Sequence, residues 1–386
     1  MILVNENADI QAPVILCPFF ARLCLSPLLL RVDKYFSNVA AQVFFHTLDL
    51  SNLTLNQLRR RLEDAPVLGM HVRTLLLHPQ DDQHVPTADR LDPCIVELLN
   101  HMPNIRKLII YYHQNDYYGH ARLLQALSNL PHLDSIETRD ALLKTKADAA
   151  NANYGETTQM AVSKTWWNRL VHHFLDHYPS RLRHVRLYGT HPLHLAAFCK
   201  IRDRLPALES LDLTMSIGLD LRDAFAYQTR WKSTSLTRLV LRQCTGVHVT
   251  VVANHIASGV FGNLQDLTLT MCGHASDDPD LELPPHNDHS WLIPMMQRVE
   301  IDHADHWRVA ALARLHVKEV VLSRVPRKTE LLIVQRERLF PGLQKLSISP
   351  PRESEFFDEV RKAAAKRGIT VTDDVPFRGD CACHRE

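Results

Sequence analysis

Apolar residues recur along this chain in triplets, and the triplets are in phase. Leu208, Leu211 and Leu213, then Leu236, Leu239 and Leu241, then Leu264, Leu267 and Leu269 each stand as LxxLxL, with 28 residues between successive first positions. The last two positions alternate with their neighbours, the period of a short strand with one face in a core and the other facing out. The same template continues in both directions. Before the central three it finds Phe45/Leu48/Leu50, Val72/Leu75/Leu77, Ile105/Leu108/Ile110, Leu133/Ile136/Thr138 and Leu182/Val185/Leu187. After them come Met296/Val299/Ile301, Val317/Val320/Leu322 and Leu343/Leu346/Ile348, making eleven candidate units. First positions lie 26 to 33 residues apart, except for 49 between Leu133 and Leu182 and 21 between Met296 and Val317. One such triplet is weak evidence, since any half-buried strand produces it; a phased series is the mark of internal repeats.

Between triplets the chain has room to return as a helix. HLAAFCKIRDRL (194–205), LRDAFAYQTRW (221–231) and VTVVANHIASGVF (249–261) carry apolar residues at helical spacing. A Pro or Gly often stands before the next triplet, as at Pro103, Pro131, Pro179, Pro206, Gly262, Pro294 and Pro341/Gly342, where it ends the helix. Two central units extend to LxxLxLxxC through Cys244 and Cys272, the position at which leucine-rich repeats place Asn or Cys. The expected fold class is therefore α/β: a leucine-rich-repeat solenoid, a curved horseshoe of about eleven repeats with parallel concave strands and convex helices. The array is expected over residues 45–375, after an N-terminal helical segment (1–44) and before a C-terminal tail (376–386). The long interval predicts an insertion at 141–178, containing Trp166 and Trp167, and a second, acidic and proline-containing one is expected at 273–291.

Composition narrows the partners. The 386 residues are 45% hydrophobic and 23% charged, enough to bury a sizeable core. Forty-four basic against 43 acidic residues leave a formal charge of +1, so the field that draws a protein onto nucleic acid or an anionic membrane is missing. Eight cysteines in so long a chain are too sparse for a disulfide framework. In residues 1–30, Glu6 and Asp9 stand where a signal peptide is basic, and Pro13, Pro18, Arg22 and Pro27 interrupt the apolar run. No run approaches the roughly 20 apolar residues of a membrane span. A cytoplasmic or nuclear protein is expected, with neither a nucleic-acid nor a membrane partner.

Residues 28–51, LLLRVDKYFSNVAAQVFFHTLDLS, pass directly into the first strand. Through Leu28, Leu29, Leu30, Val32, Lys34, Phe36, Ala40, Phe44, Phe45, Thr47, Leu48 and Leu50, this segment resembles the second half of an F-box as found in fungal F-box and leucine-rich-repeat proteins. The resemblance implies a substrate receptor of a cullin-type (SCF) ubiquitin ligase. The helices around Leu28, Leu29, Val32 and Phe36 would dock on the ligase adaptor through residues 1–45, and the repeats would hold the protein substrate. The first half of the motif departs: APVILCPFFARLCLSP lacks the Leu-Pro-x-Glu start and carries three prolines, so the F-box is degenerate or truncated. The other reading of residues 28–45 is a plain cap on the first repeat, in a stand-alone scaffold with no ubiquitin link.

Candidate chemistry is sparse. The closest histidine groupings are His172/His173/His177, His286/His289 and His303/His306; HxxxH can ligate zinc from one helix face, but the first His is not followed by the Glu of HExxH. The ligands of the terminal CACH, Cys381, Cys383 and His384, stand too close for a CxxC clamp. No GxGxxG, GxxxxGK[ST] or GxSxG stands at a strand-to-helix turn. Cys244 and Cys272 fall inside the stack, where a thiol acts as a small hydrophobe. No catalytic residue, metal or cofactor is assigned. What remains is the outward side of the strands, where Arg106, Arg183, Arg186, Asp212, Arg238, Arg242 and Arg298 form the expected protein-binding face. Its middle reads as basic, which suits an acidic or phosphorylated partner segment.

Overall fold

The structure is a computed structural model. It describes residues 45–49, 55–77, 91–112, 125–140 except 128, 176–177, 180–189, 202–215, 235–244 except 243, 249–270 except 258, 295–302, 309, 312, 315–336 except 324 and 326, 339–348 and 354–373. The chain divides into two compact units, Met1–Tyr111 with Tyr118–Leu133, and Tyr112–Tyr117 with Asp134–Glu386.

In the first unit, β1 (Thr47–Asp49), β2 (Thr74–Leu77) and β3 (Lys107–Tyr112) pair side by side and parallel, with Leu48, Leu75 and Leu108 in register. Those three leucines are fully buried and form one inward row. Helices α1 (Leu55–Asp64), α2 (Pro66–Gly69) and α3 (Leu91–Asn100) lie between the strands in sequence. In α1, Leu58 and Leu62 are buried one turn apart, and in α3 the neighbours Leu98 and Leu99 are buried. Arg59 Nη1 of α1 meets Glu97 Oε2 of α3 at 3.0 Å. Gly69 closes α2 where the chain passes so near the His101 carbonyl oxygen that a Cβ would collide with it.

The second unit holds β4 (Ser135–Asp140), β5 (His184–Gly189), β6 (Ser210–Met215), β7 (Arg238–Arg242), β8 (Asp266–Thr270), β9 (Met296–Asp302), β10 (Val317–Ser323), β11 (Lys345–Ile348) and β12 (Thr370–Thr372). Each pairs with the next, always parallel. The register is a multiple of the sequence repeat: Val185, Leu211, Leu239, Leu267, Val299, Val320 and Leu346 stand opposite one another, all buried. Among the described residues, helices α4 (Val249–Ala257), α5 (Arg327–Gln335) and α6 (Ser354–Ala365) follow β7, β10 and β11. In α4 the buried apolar residues are Val249, Val252, Ala253 and Ile256, the spacing of a single apolar stripe, with His255 buried beside them. This strand order and register are those of a leucine-rich-repeat solenoid.

The expected eleven repeats fall short by one strand. The triplet template misses β12, which extends the second unit: with Val371 opposite Leu346, the positions that answer to Leu343 and Ile348 hold Gly368 and Asp373, so only one of the three is apolar. Thr138, a weak third position by its chemistry, is nonetheless buried. The insertions at 141–178 and 273–291 lie outside the described residues, apart from Asp176 and His177, as do residues 1–44 and 376–386.

A repeated hydrogen-bond device locks one repeat to the next. The carbonyl just before a strand accepts from two consecutive N–H groups of the following repeat. Arg183 O takes Glu209 and Ser210 N–H at 2.8 and 2.9 Å, Glu209 O takes Thr237 and Arg238 N–H at 2.9 and 3.1 Å, and Thr237 O takes Gln265 and Asp266 N–H at 2.8 and 2.9 Å. The first unit uses the same device at His46 O and Arg73 O. Each strand is thereby positioned by its predecessor before its own ladder begins. Cys244 sits buried just past β7, its Sγ donating toward Leu213 O at 3.6 Å and Arg242 O at 3.4 Å, so a side chain holds the turn where backbone pairing stops. Further along, Arg367 Nη1 donates to Ile333 O at 2.6 Å and Arg336 O at 3.1 Å, a cationic cap on the orphan carbonyls of α5.

Candidate protein-binding face

Residues that alternate with the buried ones point to the other side of the sheet, and the register lines them up across strands. In the second unit the first row runs Ser135, His184, Ser210, Arg238, Asp266, Arg298, Glu319, Lys345 and Thr370. The five from Arg238 to Lys345 alternate in charge. The second row runs Glu137, Arg186, Asp212, Val240, Thr268, Glu300, Val321, Ser347 and Thr372. A third, from β5 to β10, includes Thr214, Arg242, Thr270, Asp302 and Ser323. Neighbours along a row sit about 4.8 Å apart, so opposite charges on adjacent strands can pair and like charges would repel.

Most of the expected arginines are paired in this way. Arg186 bridges two strands, reaching Glu137 Oε1 at 3.5 Å with Nη1 and Asp212 Oδ2 at 3.2 Å with Nε. Arg242 approaches the same Asp212 from β7, with Nη1 at 3.3 Å from Oδ2, and Thr214 Oγ1 donates to Asp212 Oδ1 at 3.2 Å. Asp212 is thus a buried hub that organises two guanidinium groups. Glu137 is only 2% exposed and is held by Arg186. Arg298 pairs along its own strand with Glu300 at 3.4 Å, Lys345 reaches across to Glu319 at 2.9 Å, and Arg183 meets Glu209 at the strand entry at 3.2 Å.

Arg238 differs. It is exposed, and among the described residues no carboxylate lies within ion-pair distance of it. Arg106 is also exposed but belongs to the first unit, at the entry to β3, where its backbone N–H donates to Arg73 O. The site as read from sequence therefore separates into Arg183, Arg186, Asp212, Arg238, Arg242 and Arg298 on one unit and Arg106 on the other. Leu28, Leu29, Val32 and Phe36 lie outside the described residues.

Carboxylates share these outward positions with the arginines. Among the outward positions of β4 to β11 whose side chains are described, five cations (Arg186, Arg238, Arg242, Arg298, Lys345) stand beside six carboxylates (Glu137, Asp212, Asp266, Glu300, Asp302, Glu319). The signal was present in the sequence. Reading down the second row, instead of along one strand, puts Arg186 between Glu137 and Asp212.

Among the described residues no group of three or more His, Cys, Asp and Glu side chains is placed to hold a metal ion. Of the histidines singled out, His177 is described and exposed; His172, His173, His286, His289, His303 and His306 are outside the description, with Cys272, Cys381, Cys383 and His384. The chemistry available on the face is ion pairing and hydrogen bonding. Among the described residues no helix is long and apolar enough to cross a membrane.

No protein-family model matches the chain, and no curated protein matches it. Among solved structures it is similar to the leucine-rich repeat-containing protein LegL7 from Legionella pneumophila, at 12% identity and a TM-score of 0.42, over 83% of this chain and 90% of that one.

Proposed function

We propose that the chain is a protein-recognition scaffold that holds a partner segment on the outward rows of its strands. The observation that carries this is the face itself: charged side chains fixed at repeat-locked spacing on a rigid parallel sheet, with guanidinium groups oriented by buried carboxylates such as Asp212. Preorganised charge of this kind selects partners and sets their register more than it adds raw affinity. The test is co-purification from cells with the wild-type chain and with Arg186→Glu. Partners of the face are lost with Arg186→Glu and kept with a helix control, Glu359→Lys on the exposed side of α6. Retention of every partner by Arg186→Glu would sink the reading.

The F-box-like residues 28–51 favour one specialised form of this role, the substrate receptor of a cullin-type ubiquitin ligase working in the cytoplasm or nucleus. In that form the chain carries no catalytic residue of its own. The adaptor and cullin co-purify with the full chain and are lost when residues 1–45 are deleted, while face-bound partners stay. Absence of the adaptor from the full-chain sample leaves the stand-alone scaffold.

A further inference from the structure

The charges on the second unit's face are unevenly placed. Over β4 to β7 the outward positions whose side chains are described carry Arg186, Arg238 and Arg242 against Glu137 and Asp212, three minus two, or +1. Over β8 to β11 they carry Arg298 and Lys345 against Asp266, Glu300, Asp302 and Glu319, two minus four, or −2. The sign changes between β7 and β8. At that boundary stand Arg238 and Asp266, register partners in the first row. Every other charged side chain of that row is in an ion pair: Arg298 with Glu300, and Glu319 with Lys345. Among the described residues Arg238 and Asp266 are not joined to each other or to any other charged group, although Arg238 is exposed and Asp266 half-buried.

We infer that this face takes an extended, bipolar protein segment, its acidic side chains over β4 to β7 and its basic side chains over β8 to β11, with Arg238 and Asp266 as the two open contacts at the change of sign. The inference rests on the protein-recognition reading and adds to it the partner's charge order. An Arg and an Asp held side by side without pairing keep their interactions for a third party. Each pays less desolvation when an opposite charge arrives than a pair that must first be broken. Repeat solenoids turn their strands towards a hollow side, and a narrow segment fits such a surface where a second, equally hollow copy does not. The centres of the two halves are about four strand spacings apart, roughly 19 Å, which an extended segment covers in about six residues at 3.3 Å each.

The experiment uses the full chain and four synthetic peptides of equal length labelled for fluorescence anisotropy. One has a glutamate block and a lysine block centred about six residues apart; one alternates the same residues; one is all glutamate in its charged positions and one all lysine. At low ionic strength the block peptide binds about tenfold tighter than the alternating one, and the gap closes as salt screens the face. Arg238→Glu weakens the block peptide and raises binding of the lysine peptide; Asp266→Lys weakens the block peptide and raises binding of the glutamate peptide. Each variant must keep the wild-type melting profile, and the opposite responses of the two guard against a general loss of structure. Equal binding of block and alternating peptides, binding of none, or variants that leave the preferences unchanged each overturn the inference. The recognition reading survives any of these if Arg186→Glu still sheds cellular partners.

Discussion

The two units share an inward side and differ on the outward one. Inward, Leu48, Leu75 and Leu108 of the first unit do what Leu211, Leu239 and Leu267 do in the second, each fully buried and in register. Outward, the row that holds Glu137, Arg186 and Asp212 in the second unit holds Asp49, Leu76 and Ile109 in the first, and both apolar residues are buried. The lesson is a division of labour. The inward rows set strand order and spacing whatever lies opposite, so outward positions are free to be apolar in one unit and charged in the other.

The strongest way to break that comparison is to hollow out the shared side. Leu211→Ala and Leu75→Ala should each cost about 2–5 kcal/mol, the loss of a fully buried leucine plus the cavity left behind. Urea unfolding of each variant measures this. Near-equal losses confirm one kind of core in both units; a loss below about 1 kcal/mol for Leu75→Ala alone would mean that the first unit is held by something else. A smaller effect isolates what only the second unit has. Asp212→Ala leaves Arg186 and Arg242 without their common carboxylate and should destabilise by about 1–3 kcal/mol, with Asp212→Asn milder because an oxygen acceptor remains for Thr214. No loss in either variant would mean that the hub orients charge without stabilising the fold. The smallest effect is at the rim. Arg183 is 58% exposed, so removing its pair with Glu209 by Arg183→Ala should cost below about 1 kcal/mol and less still in high salt. A loss above that, insensitive to salt, would show the rim to be part of the fold.

The inward side was legible because its signal is redundant. Eleven triplets repeat one message, and a poor member such as Thr138 is carried by its neighbours. β12 escaped because Gly368 and Asp373 occupy template positions, and a strand at the end of an array is placed by one predecessor, through Thr370 N–H to Gln344 O at 2.9 Å. The outward side was legible only in part. Arg186, Arg238 and Arg242 are visible as outward arginines from alternation alone. That Arg186 and Arg242 converge on Asp212 while Arg238 stays open is a relation between strands 26 to 30 residues apart, fixed by side-chain reach rather than by any local pattern.

Cys244 turns this architecture into its own clock. Its thiol is buried behind β7 with Sγ directed to the carbonyls of Leu213 and Arg242, so a thiol reagent reaches it only when the seam between β6 and β7 parts. Under conditions where reclosing outpaces modification, the labelling rate reports the free energy of that opening, separately from the unfolding of the whole chain. Peptide mapping distinguishes this cysteine from the other seven. A bound partner that clamps β5 to β8 would slow the clock, and one that binds elsewhere would leave it running at its native rate.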